Sequence, residues 1–533
     1  MEQLREKWGK KDKESVIFLL LLFVMAIYYG WRLFALTPWY DELYTYYYFI
    51  SRGPIYAAIH WPLPNNHVGY SVLSAILGLF GNAAVGLRGI SWISSLVSLC
   101  LLYAIGRKFF SKGFALMAVC FYAAMSIVNQ YAVQGRGYAL ASCLYLAALY
   151  ELIQIVAFHE KRWRHYVIMA LSFIWALYTL PSSVYFVVPL CVIGGGWLLM
   201  EKRGRELARL FFTALISAFC TAMLYAIIWL AIGSNLLSKI PDGPCYKQGH
   251  IDIILHAPFN ALKTGMEYML DTPYIQSVPR EGYLPRFADW IKALYEYYYP
   301  GLSVALLALT GIGIVAIAVF LVKRLVGQIS HKSMPVSGQG KDGFLAWYLL
   351  MSFALTPLML IIQAALPYYR VFSYFGVPVA LLFTWLLVRA TGKIQNRSLV
   401  CAVATVLALL CMLRLCRKDA IAEYGEREAA VADVCKQIEY QDNTIVCVTD
   451  CDQEYLIKYL YGREDVTKDP YGADYIILDK LLCLEGEEFA AVNSADFWKY
   501  YISHDNIPWE YLEEKTEISY ENDMFILYRR NKE

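Results

Sequence analysis

Runs of apolar residues separated by short polar segments occupy most of the chain. Most of them are about 18–25 residues long, which lets each cross about 30 Å of hydrocarbon as an α-helix rising 1.5 Å per residue. The pattern predicts eleven membrane-spanning helices, at residues 16–36, 85–106, 114–132, 138–157, 166–181, 183–200, 208–232, 301–322, 344–364, 371–389 and 398–415.

Composition supports a polytopic membrane protein. Of the 533 residues, 58% are hydrophobic and 17% are charged, whereas soluble domains are nearer 45–50% apolar and 25% charged. The first apolar run is too long for a signal-peptide core and has no small-residue cleavage site, so we interpret it as a span.

Basic residues predict the orientation of the spans, because cytoplasmic loops are enriched in Lys and Arg. The N-terminus and the loops near residues 107–112, 161–164, 202–205, 323–324 and 393–397 are basic. We therefore expect a multi-pass protein of the cytoplasmic (plasma) membrane with a cytoplasmic N-terminus. The loops 37–84 and 233–300 and the C-terminal part then lie outside. Arg414, Arg417 and Lys418 oppose this orientation, but long C-terminal domains cross membranes with little regard to charge.

The C-terminal part has a different composition. From Arg417 onward it has 27 acidic and 13 basic residues, and short β-rich runs alternate with helical ones. We predict two domains: a membrane domain at 1–416 and an extracytoplasmic acidic α/β domain at 417–533. A disulfide is permitted among the cysteines of the second domain, Cys435, Cys447, Cys451 and Cys483.

Two adjacent acids follow the first predicted span, in the segment TPWYDELYTYYYF at 37–49. In one interpretation Asp41 caps a helix and Glu42 favours the helix dipole. In the other, a carboxylate at the membrane boundary acts as a general base or binds a cation. The need for a divalent metal stays open, since no clear third ligand is visible.

A polar group later in the same loop precedes a short apolar helix predicted at 68–80, in HWPLPNNHVGY at 60–70. Asn66 is one of its polar residues, and His67 is either solvated or positioned to bind phosphate or polarise a sugar hydroxyl.

Two arginines lie at the outer mouths of spans: Arg136 in QGRGYAL at 134–140 and Arg370 in PYYRVFSY at 367–374. Either they snorkel to the surface, or they face an aqueous site. Arginine matches phosphate oxygens bidentately, so the pair, with aromatics and carboxylates nearby, indicates a site for an anionic lipid-linked substrate. The loop 233–300, with YEYYYP at 295–300, either supplies sugar or acceptor contacts or is a structured connector.

These motifs, together with GLRGISWISSLVSLCLLYAIGRKFF at 86–110, resemble the GT-C glycosyltransferases. The bacterial relatives of dolichyl-phosphate-mannose protein mannosyltransferases and aminoarabinose transferases are most similar, over about residues 16–160 with a weaker likeness at 367–380. The resemblance implies a GT-C membrane fold, a polyprenyl-phosphate-linked sugar donor and a catalytic acid at Asp41, with Glu42 beside it. Asn66, His67, Arg136, Tyr138 and Arg370 would then lie near the donor.

Two departures from that family concern the site. Gln134 stands where some members carry an acid before the arginine of the second outer loop, and Asn66-His67-Val68-Gly69 replaces the more common His-Pro-Pro-Leu. The first puts a second catalytic acid or metal ligand in doubt, and the second indicates a different donor pocket.

We therefore predict a glycosyltransferase that moves a sugar to a hydroxyl on a lipid, polysaccharide or protein acceptor, with inversion and Asp41 as base. The predicted partners also include membrane lipids but no nucleic acid. The alternatives are a transporter or flippase of lipid-linked saccharides, which predicts ionisable groups near the middle of several spans, and a non-catalytic membrane scaffold.

Overall fold

The computed structural model describes residues 13–60, 65–110, 113–270, 278–330, 340–391, 426–484 and 500–531, with scattered helical positions between 399 and 410. The helices before the second domain are α1 Lys13–Ala35, α2 Tyr40–Tyr48, α3 Pro54–Ile59, α4 Val68–Gly78, α5 Ala83–Phe109, α6 Phe114–Ala123, α7 Ser126–Tyr131, α8 Tyr138–Val156, α9 Trp163–Thr179, α10 Val184–Met200, α11 Gly204–Leu237, α12 His250–His256, α13 Pro258–Leu270, α14 Tyr283–Tyr298, α15 Ser303–Ser330, α16 Gly340–Gln363 and α17 Gly376–Thr391.

Eight helical segments in the described part of the chain are long and apolar enough to span a membrane, by length and composition. They correspond to eight of the eleven predicted spans, at Glu14–Ala35, Ala83–Phe109, Tyr138–Val156, Pro181–Met200, Gly204–Leu237, Ser303–Arg324, Gly340–Gln363 and Tyr369–Thr391. The predicted class, an α-helical multi-pass membrane protein, is confirmed. The predicted number of eleven is not confirmed.

The span predicted at 114–132 is two short helices, α6 and α7. The break is stabilised by Asn129, whose side-chain amide donates hydrogen bonds of 2.8 Å to the carbonyls of both Ala123 and Met125. A helix end leaves carbonyls without intrahelical partners, and here a buried side chain from the next helix satisfies that of Ala123 and also binds the N-cap carbonyl of its own helix.

Two other predicted spans, at 166–181 and 398–415, are not among these eight segments, and the reason differs between them. The 166–181 segment is helix α9, whose 17 residues make it shorter than the eight spans. The 398–415 segment lies outside the described residues except at scattered positions. The basic residues within 1–12 and 411–418, which entered the prediction of orientation, also lie outside the described residues.

A small α/β domain follows the membrane helices, as the β-rich runs predicted. Its strands form one sheet in the order β2-β1-β3-β5-β4, in which β2, β1 and β3 are parallel and β5 is antiparallel to both neighbours. The elements are α18 Glu426–Cys435, β1 Val446–Val448, α19 Cys451–Tyr461, β2 Val466–Thr467, β3 Tyr475–Asp479, α20 Trp509–Lys515, β4 Thr516–Glu521 and β5 Phe525–Arg530. All four cysteines considered for a disulfide are free thiols.

A buried charge cluster lies at the carboxyl ends of β1 and β3. Asp450, Asp452 and Asp479 are buried there, and Arg427 of α18 forms ion pairs with all three, at 3.3 Å to Asp452 and 2.6 Å to Asp479. One guanidinium thus faces three carboxylates. Burial, opposed by Arg427 and reinforced by the neighbouring acids, raises the pKa of Asp450 to about 7.

This pKa predicts a pH-dependent stability. Because the folded state holds the Asp450 proton more tightly than the unfolded chain, whose Asp titrates near 3.8, this group's contribution to stability is lost as pH rises from about 4 to 7. Asp450→Asn removes the titration but keeps an oxygen that can accept the Gln453 N–H. We expect the melting temperature of the detergent-purified variant to fall less steeply than wild type between pH 5 and 7.

The exposed Asp442 supplies the matched control. Asp442→Asn should leave the pH slope of the melting temperature as in wild type. A slope for Asp450→Asn equal to that of Asp442→Asn would contradict the assignment.

Candidate functional site

Helix α2 carries both candidate acids in its first turn. The chain enters this helix from Trp39, whose backbone N–H donates to the Glu42 carboxylate at 2.9 Å. Asp41 and Glu42 are one residue apart, so their side chains point about 100° apart around the helix. The two acids therefore have different surroundings.

Glu42 is fully buried and bound on several sides. Arg88 of α5 donates to both carboxylate oxygens, at 2.8 and 3.0 Å, and the backbone N–H of Gly135 donates at 2.6 Å. The same arginine donates to the carbonyls of Leu33 and Leu36, at 2.9 and 2.7 Å. Glu42 therefore joins α2, the end of α1, α5 and the 134–137 loop.

Arg136 ties the second loop to α2. Its Nη1 donates to the Thr45 hydroxyl at 2.7 Å and to the backbone and side-chain oxygens of Asn65, and its Nη2 lies 3.2 Å from His67 Nε2. The residue is 3% exposed. Arg136 therefore does not snorkel to the surface.

Asp41 faces the arginines and is partly accessible. One carboxylate oxygen lies 3.4 Å from Arg370 Nη1 and 3.9 Å from Arg136 Nη2, and the side chain is 24% exposed. Arg136, Arg370 and one of the two acids, which the sequence analysis considered together, thus lie close to one another. Among the residues that the structure describes, the Nε atoms of both arginines have no hydrogen-bond partner.

Aromatic rings surround the Arg370 guanidinium. Its central carbon lies 4.5 Å from the ring centroid of Tyr368 and 5.8 Å from those of Trp39 and Tyr138. Cation–π contacts of this kind hold a guanidinium without consuming its N–H donors. Arg370 is consequently fixed in place and still able to donate to an anion.

His67 and Asn66 hold the loop before α4. His67 is buried, and its Nδ1 accepts the Gly137 N–H at 2.9 Å. Burial, together with the charges of Arg136 and Arg370, lowers the pKa of His67 well below its usual range, so its ring is neutral at physiological pH. The Asn66 side chain donates to the Ala57 carbonyl at 3.0 Å and accepts from Ser71 at 2.7 Å. This amide is engaged in holding the loop.

The tyrosines of the YEYYYP run mostly pack inward. Tyr295 donates to Thr310, and Tyr298 and Tyr299 donate to the carbonyls of Phe372 and Phe121. Tyr297 alone of the four approaches the site, with its hydroxyl 3.2 Å from that of Tyr131. The connector alternative therefore describes this run better than the sugar-contact alternative.

Sequence reasoning missed Arg88 and Thr45. Arg88 lies within a predicted span, and an arginine at that depth is a signal of a buried partner. No sequence signal marks Thr45, because its contact with Arg136 arises only when the chain folds. In the described ranges, no group of three or more His, Cys, Asp or Glu side chains is arranged to hold a metal ion.

A protein-family model described as dolichyl-phosphate-mannose-protein mannosyltransferase matches residues 67–229. The resemblance is confirmed for this segment. The segment contains His67, Arg88, Arg136 and Tyr138, whereas Asp41 precedes it and Arg370 follows it.

Solved structures that match the chain include the archaeal oligosaccharyltransferase AglB from Archaeoglobus fulgidus, in complex with an inhibitory peptide and a dolichol-phosphate. It has 12% sequence identity and a TM-score of 0.44, over 97% of this chain and 74% of that one. ArnT from Cupriavidus metallidurans bound to undecaprenyl phosphate has 13% identity and a TM-score of 0.40, over 97% of this chain and 98% of that one. No curated protein sequence matches the chain.

The Glu42–Arg88 pair predicts a large stability effect. Arg88→Met leaves the Glu42 carboxylate buried without its cation, which costs about 3–5 kcal/mol. We expect a clear fall in the melting temperature of the purified protein in detergent. Adding Glu42→Gln should recover part of the loss, because the buried charge is then gone.

Arg52, an exposed arginine of the segment between α2 and α3, supplies the control. Arg52→Met should change the melting temperature little. If Arg88→Met melted at the same temperature as Arg52→Met, the ion pair would not have the role assigned to it.

Proposed function

We propose that the protein is a glycosyltransferase that moves a sugar from a polyprenyl-phosphate donor to a hydroxyl acceptor. The observation that carries the proposal is the pairing of a partly accessible carboxylate, Asp41, with the aromatic-bound guanidinium of Arg370 at 3.4 Å. The family description matched over residues 67–229 supports a dolichyl- or related polyprenyl-phosphate sugar as the donor class.

Asp41 is the proposed general base. It accepts the proton of the acceptor hydroxyl while that oxygen attacks the anomeric carbon and the bond from this carbon to the phosphate oxygen breaks. The leaving polyprenyl phosphate carries away the electron pair and needs no proton, so one carboxylate suffices. Attack from the face opposite the phosphate inverts the configuration.

Arg370 is the proposed ligand of the donor phosphate. Its Nε is unpartnered among the described residues and its guanidinium is held by rings, so it can donate to phosphate oxygens and stabilise the charge that develops on them. Phosphate competes with Asp41 for the same N–H groups. Donor binding would thus release the Asp41 carboxylate to act on the acceptor.

The remaining predicted residues take supporting roles in this proposal. Arg136 and His67 shape the wall beside the phosphate, and Tyr138 lines it. Glu42, first considered catalytic, becomes the residue that fixes α2. We propose that the reaction takes place on the outer face of a cytoplasmic membrane, because the basic loops predict that orientation.

The flippase alternative predicts ionisable groups near the middle of several spans. In the helices that the structure describes, the ionisable side chains lie towards the helix ends, as with Arg32 and Arg88 at one end of the bundle and Glu151 and His165 towards the other. This distribution differs from the one that a flippase predicts.

Asp41→Asn should lower the turnover number for sugar transfer by about 100-fold or more, because a positioned base contributes about 10²–10⁴-fold. The measurement is transfer from a radiolabelled polyprenyl-phosphate sugar in proteoliposomes, with melting temperature as the check on folding. Asp289→Asn, an exposed carboxylate of α14, is the control and should retain wild-type turnover. Near-normal turnover of folded Asp41→Asn would exclude the base assignment.

Arg370→Ala should raise the donor KM by about 10- to 100-fold, since hydrogen bonds to charged groups contribute about 1.5–3 kcal/mol. Arg370→Lys should recover only part of the affinity, because Lys keeps the charge but not the planar pair of donors. The exposed Arg280, which binds the Ile362 carbonyl, is the control. A donor KM unchanged in Arg370→Ala would reject Arg370 as the phosphate ligand.

A further inference from the structure

Helix α2 is buried against the C-terminal domain on the side away from the membrane helices. Tyr40 and Leu43 share an apolar cluster with Val431 and Val434 of α18 and with Leu456 of α19. Two domains that are far apart in sequence therefore build the surroundings of the Asp41 helix together.

Glu428 of α18 binds the first turn of α2. Its carboxylate accepts the backbone N–H of Tyr40 at 3.0 Å, across 388 positions of sequence, and the residue is 2% exposed. The first four N–H groups of a helix have no partner within it. The next residue of the helix after Tyr40 is Asp41. A carboxylate from the second domain thus fixes the start of the helical turn that carries Asp41, the proposed base.

Tyrosine rings of α19 extend the contact along α2. The Tyr455 ring lies 6.2 Å from Tyr40 and 5.6 Å from Tyr47, both stacked, and the Tyr459 ring lies 5.9 Å from Tyr46 edge-on. Tyr40 and Tyr47 lie on one face of α2, and Tyr46 lies about 100° further around the helix. They fix its rotation as well as its start.

Arg427 makes the support rigid. It is the neighbour of Glu428 on α18, and its ion pairs to Asp450, Asp452 and Asp479 attach this turn of α18 to the ends of two sheet strands. Any movement of Glu428 away from α2 would have to strain these buried pairs. The sheet therefore holds Glu428 in place, and Glu428 in turn binds the first turn of α2.

We propose that Glu428 is a positioning residue for sugar transfer, through which the C-terminal domain holds Asp41 at the distance from Arg370 that the reaction needs. The inference rests on the proposed function for its kinetic consequence but not for its structural one. Glu428 does not touch the substrate. It acts through the Tyr40 N–H and the turn that follows it.

The test compares Glu428→Ala, Glu428→Gln and the control Glu426→Gln, which changes an exposed acid two residues earlier on the same helix. The first readout is amide hydrogen exchange of the peptide covering 40–48 in the full-length protein. Exchange should become about 10- to 100-fold faster in Glu428→Ala, the size expected for losing a hydrogen bond to a charged acceptor. Glu428→Gln keeps an acceptor oxygen and should stay closer to wild type, and Glu426→Gln should be unchanged.

The second readout is steady-state transfer from the polyprenyl-phosphate sugar. Glu428→Ala should lower kcat by about tenfold or more with a smaller change in donor KM, because the Tyr138 and Tyr368 rings that hold Arg370 lie outside α2. Glu428→Gln should restore much of kcat. A merely structural loss would lower the amount of folded enzyme and leave kcat per folded molecule unchanged.

The outcomes separate the two proposals. Unchanged exchange in folded Glu428→Ala overturns the positioning role, whatever the activity. Faster exchange in a protein whose wild type transfers no sugar supports the positioning contact and rejects the proposed function. If Glu428→Ala does not fold, Tyr455→Leu gives the same readout, and wild-type exchange and kcat in that variant would overturn the inference.

Discussion

The bidentate ion pair between Glu42 and Arg88 is the constraint on which the rest of the site depends. It is fully buried, and a pair in that setting is costly unless every remaining donor and acceptor is matched. Here the surplus groups bind the carbonyls at the end of α1 and the Gly135 N–H. Four segments of the chain are thereby fixed around Glu42, and Asp41 is the residue immediately before it.

The two arginines of the site differ in whether they are buried in its wall or able to bind an anion. Arg136 is buried and gives its Nη1 donors to Thr45, Asn65 and the Asp41 backbone, so it belongs to the wall. Arg370 is held by the faces of aromatic rings, which leaves N–H groups able to bind an anion. Two arginines with similar sequence settings therefore have different capacities, and the difference arises from what surrounds each guanidinium.

The sequence predicts most of the membrane helices because a run of apolar residues long enough to span the bilayer is a local property. It also brings Asp41, Arg136 and Arg370 under consideration together. It cannot separate Asp41 from Glu42, because which acid is buried depends on a partner 46 positions away. The break between α6 and α7 is hidden for a similar reason, since Asn129 looks like an ordinary polar residue until its two carbonyl partners are known.

The contact between Tyr40 and Glu428 also constrains the order in which this part of the protein can form. A ribosome makes Asp41, Arg136 and Arg370 before it reaches Glu428, so a growing chain can hold every proposed reactive group while the start of α2 lacks its outer support. Bringing residues so far apart in sequence together is slow compared with forming helices, because a long loop must be closed first. The domain that contains Glu428 thus completes the surroundings of a loop made much earlier, and a chain without that domain would hold every proposed reactive side chain while α2 lacked this contact.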